Sequence, residues 1–197
     1  MKKAIIIGFG GMGIRHYKAL KKINIEIVGI CDKNIKKLNN LKFLQNIKKV
    51  KDYKQLINIK ADIVCVASNT KSRYKIIKSF LINSKIERLL IEKPLCTSFR
   101  ECKELEILIK KYKNKKKVYV NTFRTISKNF ENVKNLFKKN NEKITHVFIN
   151  SPFAGLGNMG SIFFDLGNYF LNERATSVTS WIDKTGTISP RGKIFKD

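Results

Sequence analysis

Four apolar residues, Ala4 to Ile7, run straight into Gly8-Phe9-Gly10-Gly11-Met12-Gly13, and a helical pattern follows at once. An unbroken apolar run of this kind reads as a central parallel strand, buried on both faces. Gly13 to Ile23 carries Ile14, Tyr17, Ala19 and Leu20 as an apolar stripe, the spacing of one helix face. Three glycines between such a strand and such a helix have a physical reading. Gly8 permits the tight turn, Gly10 lets backbone approach a pyrophosphate, and Gly13 lets the helix pack closely on the strand. Phe9, Gly11 and Met12 complete the loop, and the N–H groups and dipole of the helix start attract phosphate. The second strand, Ile25 to Cys31, ends at Asp32, which lies 19 residues beyond Gly13. A carboxylate there accepts hydrogen bonds from ribose hydroxyls. It also repels a 2′-phosphate, which favours NAD and leaves NADP possible because Lys33 follows. The bland alternative is a tight turn with Asp32 as a helix cap.

The pattern then repeats in kind. Helix is expected over Asn34–Leu44, a short strand over Lys48–Val50 and a weak helix over Tyr53–Ile57. The run Ala61–Ala67 is the clearest later strand. A helix over Ser72–Ile82, a strand over Arg88–Ile91, a helix opened by the capping box Ser98-x-x-Glu101 and a strand over Lys117–Val120 complete it. Strands alternating with helices argue for a mostly parallel α/β sheet of the Rossmann type. Beyond it the pattern changes. Helices are expected over Ser127–Lys139 and Asn158–Leu171, and strands over Ile144–Ile149 and Val178–Ile182. We therefore expect a Rossmann-type domain over 1–120 and a partial α+β domain over 121–197. The tail after Trp181 is polar and lacks a terminating element, so the second domain reads as shortened.

Composition excludes several classes. No apolar run approaches the ~20 residues of a membrane helix. Met1-Lys2-Lys3 imitates a signal peptide, but the apolar run after it is too short and glycines stand where cleavage would occur. The four cysteines (Cys31, Cys65, Cys96 and Cys102) include no Cys-x-x-Cys pair, and the histidines are His16 and His146. No metal site is expected, and a reducing compartment, the cytoplasm, fits. The formal net charge of +26 raises nucleic-acid binding as a remote alternative. It arises from 34 lysines against seven arginines, spread along the whole chain. Base readout favours arginine, so a solvated lysine surface is the better reading.

Gly8-x-Gly10-x-x-Gly13-Ile14-Arg15-His16, Asp32 and Glu92-Lys93-Pro94 together resemble the Gfo/Idh/MocA oxidoreductases. The resemblance covers nearly the whole sequence. It implies a reaction: hydride transfer between NAD(P) and a hydroxyl-bearing carbon of a sugar, cyclitol or sugar nucleotide. Lys93 becomes the leading catalytic and substrate-orienting residue and also lines the cofactor beside the nicotinamide, with Pro94 often cis in the family. An ammonium beside an alcohol polarises it and stabilises developing alkoxide charge. Glu92 is counted with the cofactor-lining residues but reads chiefly as holding local structure. Ser68, Asn69 and Thr70 fall where relatives line the cofactor. Arg73 stands where many relatives carry His.

The segment Asn121-Thr122-Phe123-Arg124 resembles the family's entry into the second domain. By that likeness Asn121 faces nicotinamide and Arg124 the substrate. Gly160 to Gly167 resembles the helix with the family's Asp-x-Gly-x-His motif. Asp165 supplies the carboxylate, and Tyr169 replaces the expected histidine. Residues four apart share a helix face, so Asp165 and Tyr169 are both carried as catalytic and substrate-binding candidates. Histidine is the natural proton acceptor near neutral pH. The substitution therefore keeps a second reading open, a degenerate relative that binds dinucleotide without turnover. A homo-oligomer is possible if the second domain is complete enough.

Overall fold

The computed structural model describes residues 1–122, 124–150 and 159–181. Two compact units divide the chain, Met1–Asn121 and Thr122–Asp197. The tail after Trp181, Phe123, Asn158 and Ile182 lie outside the described residues.

The first unit is a six-stranded parallel sheet. Its strands are β1 (Lys3–Ile7), β2 (Glu26–Cys31), β3 (Lys48–Val50), β4 (Ile63–Val66), β5 (Arg88–Ile91) and β6 (Lys117–Val120), in the order β3-β2-β1-β4-β5-β6. The helices are α1 (Gly11–Lys22), α2 (Ile35–Asn39), α3 (Thr70–Asn83) and α4 (Phe99–Tyr112). Side chains alternate across β1, so Ala4 and Ile6 join the core on one face and Ile5 and Ile7 the core on the other. Ala4, Ile5 and Ile6 are fully buried, which is why this strand reads as an unbroken apolar run. The chain reverses its strand order between β1 and β4, and ligands of such sheets bind outside the carboxyl ends at that point.

Local sequence explains several boundaries. Asn34 accepts from Lys37 N and caps α2. The helix expected to reach Leu44 ends at Asn39, and a separate 3-10 turn covers Lys42–Leu44. Asn39 and Asn40 are poor helix formers, since their side chains compete for the backbone. Tyr53–Leu56 is a 3-10 turn, with Asp52 accepting from Lys54 N. Ser98 accepts from Glu101 N as the capping box requires, but Glu101 reaches back to the N–H and hydroxyl of Thr97.

One buried cation ties the far end of the sheet together. Lys116 is 8% exposed, and its Nζ donates to the carbonyls of Ser84 (2.6 Å), Ile86 (3.0 Å) and Phe80 (3.2 Å) and to Ser84 Oγ (3.3 Å). Helix α3 carries no basic residue in its own last turn. Lys116 supplies that charge from the α4–β6 connection, where a cation favours the helix dipole. Burial lowers its pKa, and four acceptors offset the desolvation.

The described part of the second unit contains α5 (Lys128–Lys139) and α6 (Ser161–Leu171). Phe130 meets Phe170 edge to face at 5.8 Å. The strands expected at Ile144–Ile149 and Val178–Ile182 do not form among the described residues. A strand needs a neighbour for its ladder, and none of the described residues pairs with either segment. Phe148 is 91% exposed, while Ile144 and Val147 are half-buried without a strand partner among the described residues.

Replacing Lys116 by Met keeps the aliphatic stem and takes the donor from the Ser84 and Ile86 carbonyls, while Phe80 O keeps the Ser84 hydroxyl. Unsatisfied buried acceptors cost about 1–3 kcal/mol each. Urea unfolding of Lys116→Met should therefore show a loss of at least about 2 kcal/mol with an unchanged slope. A loss under about 0.5 kcal/mol, the range of a surface change, would contradict this reading.

Candidate functional site

The ladder carries on for one residue beyond the strands, and that row holds the candidate site. Cys31, Ile7, Val66, Ile91 and Val120 align across neighbouring strands. The next residues are tied by N–H bonds to the same row: Asp32 to Val50 O, Gly8 to Cys31 O, Ala67 to Ile7 O, Glu92 to Val66 O and Asn121 to Ile91 O. Sheet register therefore delivers Gly8, Asp32, Glu92 and Asn121 to one edge.

At the switch point, Gly8 has φ +91°, a conformation that side chains resist. A Cβ on it would also lie 2.6 Å from Ser68 N. A Cβ on Gly13 would lie 2.0 Å from Gly8 O, so α1 presses directly on the turn. Gly10 and Gly11 differ: an added Cβ would meet nothing within 4 Å. Open space thus stands over the start of α1, whose first turn has neither a side-chain cap nor an acidic residue. The first N–H groups of a helix lack internal acceptors. Phe9 contributes backbone only, because its ring is 1% exposed and packs edge to face on Tyr17. Its N–H donates to Asp32 Oδ2 (2.6 Å), and Asn34 N–H donates to Oδ1 (2.9 Å). Asp32 is fixed by these bonds and keeps acceptor capacity on both oxygens.

A cleft of about 730 Å³ opens beside it, lined by Gly8, Asp32, Lys33, Asp52, Ser68 and Asn69 among others. Asn69 caps α3 by accepting from Ser72 N–H and Ser72 Oγ–H. Thr70 is the first residue of that helix. Met12 is half-buried in the first turn of α1.

Glu92 is the hub of the other half. It is 5% exposed, with Oε1 2.8 Å from His16 Nε2 and 2.6 Å from Asn121 Nδ2. Burial pushes its pKa up. Hydrogen bonds from His16 and Asn121, and the charges of His16 and Arg73, outweigh burial and hold it below the usual value. An ionised carboxylate only accepts, so His16 Nε2 carries a proton. Glu92 thereby links α1, β5 and the residue after β6. Lys93 follows it, half-buried and joined to Pro94 by a cis peptide.

Arg73 was no candidate from sequence, and it is the main residue that sequence reasoning missed. It is 4% exposed on α3, and its guanidinium donates to Ser68 O and Pro94 O. One side chain therefore ties the β4 turn to the Lys93-Pro94 turn. Burial lowers its pKa, against an opposing effect of Glu92. The available signal was arginine in a chain that otherwise favours lysine, since a planar fork suits two acceptors at once.

The second unit carries the remaining candidates. Arg124 is half-buried just after the unit begins. Asp165 and Tyr169 lie one turn apart on α6. Asp165 Oδ2 is enclosed and has no hydrogen-bond partner among the described residues. Lys134 stands 4.5 Å above the Tyr169 ring and donates to Tyr169 O at 2.6 Å. His146 is exposed and lies in no strand, contrary to the expectation for it.

The family model described as "Oxidoreductase family, NAD-binding Rossmann fold", Gfo/Idh/MocA, matches residues 2–122, more than half of the chain. No curated protein matches the sequence. Among solved structures, scyllo-inositol dehydrogenase from Lactobacillus casei, with bound NAD(H) and scyllo-inositol, is 17% identical with a TM-score of 0.74. That match covers 87% of this chain and 56% of the other. Myo-inositol 2-dehydrogenase from Lactobacillus plantarum is 19% identical, TM-score 0.71, with 87% and 56% covered. An oxidoreductase from Agrobacterium radiobacter, in complex with NAD+, L-tartaric acid and magnesium, is 18% identical, TM-score 0.71, with 86% and 54% covered. At these identities the likeness concerns the fold. The chain spans about half the length of these structures.

The Glu92 cluster makes a pH prediction. Its pKa in the fold lies below the ordinary 4.5, so the unfolded chain takes up its proton first as pH falls. The stabilisation is complete above the unfolded value and fades as pH drops through the folded one. Glu92→Gln should lower stability near neutral pH and flatten the acid limb of a stability–pH curve. An acid limb of unchanged slope in the variant would contradict the assignment.

Proposed function

The chain belongs to the Gfo/Idh/MocA oxidoreductase family, and on that premise we propose that it exchanges a hydride between NAD and a hydroxyl-bearing carbon of a sugar-like substrate. The observation that carries the reading is the edge row: a fixed Asp32, a glycine turn with open backbone and a Glu92-anchored Lys93 follow adjacent parallel strands.

The residues present fit a dinucleotide. The open space over Gly10 and Gly11, beside uncapped N–H groups, suits a pyrophosphate. Asp32 accepts from the ribose hydroxyls while its charge disfavours a 2′-phosphate. Lys33 and Lys51 in the same cleft soften that preference, so NAD leads and NADP is the weaker ligand. Phe9 and Met12 serve through the loop backbone. Ser68, Asn69 and Thr70 flank the cofactor on the β4 side, and Asn121 offers its remaining amide hydrogen and carbonyl to the nicotinamide. Bound NAD supplies the hydride acceptor.

The protein's part is orientation, charge and proton handling. Lys93 donates to the reacting hydroxyl oxygen and stabilises negative charge as it develops there. Glu92 and Arg73 are positioning residues. The first fixes the strand end before Lys93 and the second holds the carbonyl of Pro94. In the second unit the family resemblance assigns Asp165 as acceptor of a substrate hydroxyl, and its Oδ2 has no hydrogen-bond partner among the described residues. Arg124 and Tyr169 bind substrate alongside it, with Tyr169 as the second proton-transfer group. A sugar, cyclitol or sugar nucleotide presents the several hydroxyls that such groups recognise.

One observation favours a second reading. Tyr169 takes the place where the family resemblance expects histidine, and its ring faces the Lys134 ammonium as a packing partner would. Dinucleotide binding without turnover follows if that site has lost its proton acceptor. Steady-state assays with NAD and a panel of polyols, cyclitols and sugar nucleotides separate the two. The enzyme reading expects turnover that Lys93→Ala reduces by about 10²–10⁴-fold. Full turnover in Lys93→Ala would remove Lys93 from the mechanism. Tight NADH binding with no turnover on any substrate would favour the second reading.

A further inference from the structure

Two cysteines next to the Lys93-Pro94 turn lie in unusual proximity. Cys96 is 9% exposed and belongs to the core on its side of the sheet. Cys102 is exposed in the early part of α4, where its N–H donates to Ser98 O. Their Sγ atoms are 2.8 Å apart. Unbonded thiols are weak hydrogen-bonding groups with little to draw them so close. A disulfide needs about 2.05 Å, so only a small movement separates the pair from a covalent bond. The other two cysteines, Cys31 and Cys65, are both buried.

We propose that Cys96 and Cys102 form a redox modification site, a dithiol that small-molecule disulfides convert reversibly into an intramolecular disulfide. The two sulfurs divide the work by exposure. Cys102, as its thiolate, attacks one sulfur of an external disulfide such as oxidised glutathione. The external S–S bond breaks, a Cys102–glutathione mixed disulfide forms and one glutathione thiolate leaves. Cys96 then gives its proton to solvent and its sulfur attacks Cys102 Sγ. The Cys96–Cys102 bond forms and the second glutathione thiolate leaves. Both departing thiolates take up protons as their own pKa requires. Two protein thiols are oxidised by two electrons, and one external disulfide is reduced to two thiols.

The surroundings suit this order. Burial, then the hydrogen bond and charge of Cys102, push the Cys96 thiol up to about 12, so it does not react first. Once Cys102 is in a mixed disulfide, its hydrogen bond and charge no longer raise Cys96; burial, the larger cause, remains, so the second step is the slower one. The bond would close a short loop that includes the Ser98 cap of α4 and staple it to the segment that follows Lys93-Pro94. This site stands on the sulfur geometry and is independent of the proposed hydride chemistry.

The test exposes the whole chain to oxidised glutathione under native conditions, traps remaining thiols by alkylation and maps peptides by mass spectrometry. Trypsin cuts after Arg100 and Lys103, so the bridge would join the peptide ending at Arg100 to the one ending at Lys103. We expect that linked pair, loss of both alkylation sites and full recovery of them after reduction. Cys96→Ser should stop at glutathionylated Cys102, and Cys102→Ser should leave Cys96 reduced. Wild-type protein that accumulates glutathione on Cys102 with Cys96 still alkylated would overturn the proposal. So would two thiols that survive the same exposure.

Discussion

Register in the parallel ladder decides where every group of the first unit's candidate site stands. Ile7 pairs with both Cys31 and Val66, and Val66 pairs with Ile91. The residues one step further are therefore Asp32, Gly8, Ala67 and Glu92, each with its N–H bound to the row behind it. Slipping one strand by a single residue would swap its buried face for the other. The fully buried Ala4, Ile5 and Ile6 of β1, with core on both sides, make such a slip expensive. Core packing and site geometry are thus set by the same pairs.

Long side chains then bind the turns that the sheet leaves side by side. Glu92 reaches His16 on α1 and Asn121 beyond β6, and Arg73 reaches the carbonyls of Ser68 and Pro94. Each bond satisfies a buried polar group and also fixes one turn relative to another. Lys116 does the same at the opposite end, where it closes α3 against the last strand. Buried charge is costly unless its partners are complete. These three clusters leave Arg73 Nε as their one enclosed side-chain atom without a partner among the described residues.

Much of this was legible in the sequence, for a local reason. The strand–glycine–helix segment, Asp32 at the end of β2, and strands β5 and β6 all depend on short-range patterns. Where it failed, the cause was equally physical. Apolar spacing carries a helix past Asn39 and Asn40, whose side chains compete for backbone bonds and end α2 there. The segment 144–149 has strand-like residues but no partner among the described residues, and pairing is a property of two segments. His16 and Glu92 are 76 residues apart, and Arg73 reaches Pro94 from 21 residues away. Such pairs leave no mark in a window of sequence. Cys96 and Cys102 escaped notice because their spacing matches no familiar motif, although the start of α4 brings them together.

The central claim is that the glycine turn and Asp32 form a dinucleotide site with a preference for NAD. Calorimetric titration of the purified chain with NADH and with NADPH tests it most directly. The account predicts saturable NADH binding and weaker NADPH binding, a difference that Asp32→Ala narrows. A folded chain that binds neither nucleotide, or that prefers NADPH with Asp32 intact, would contradict it.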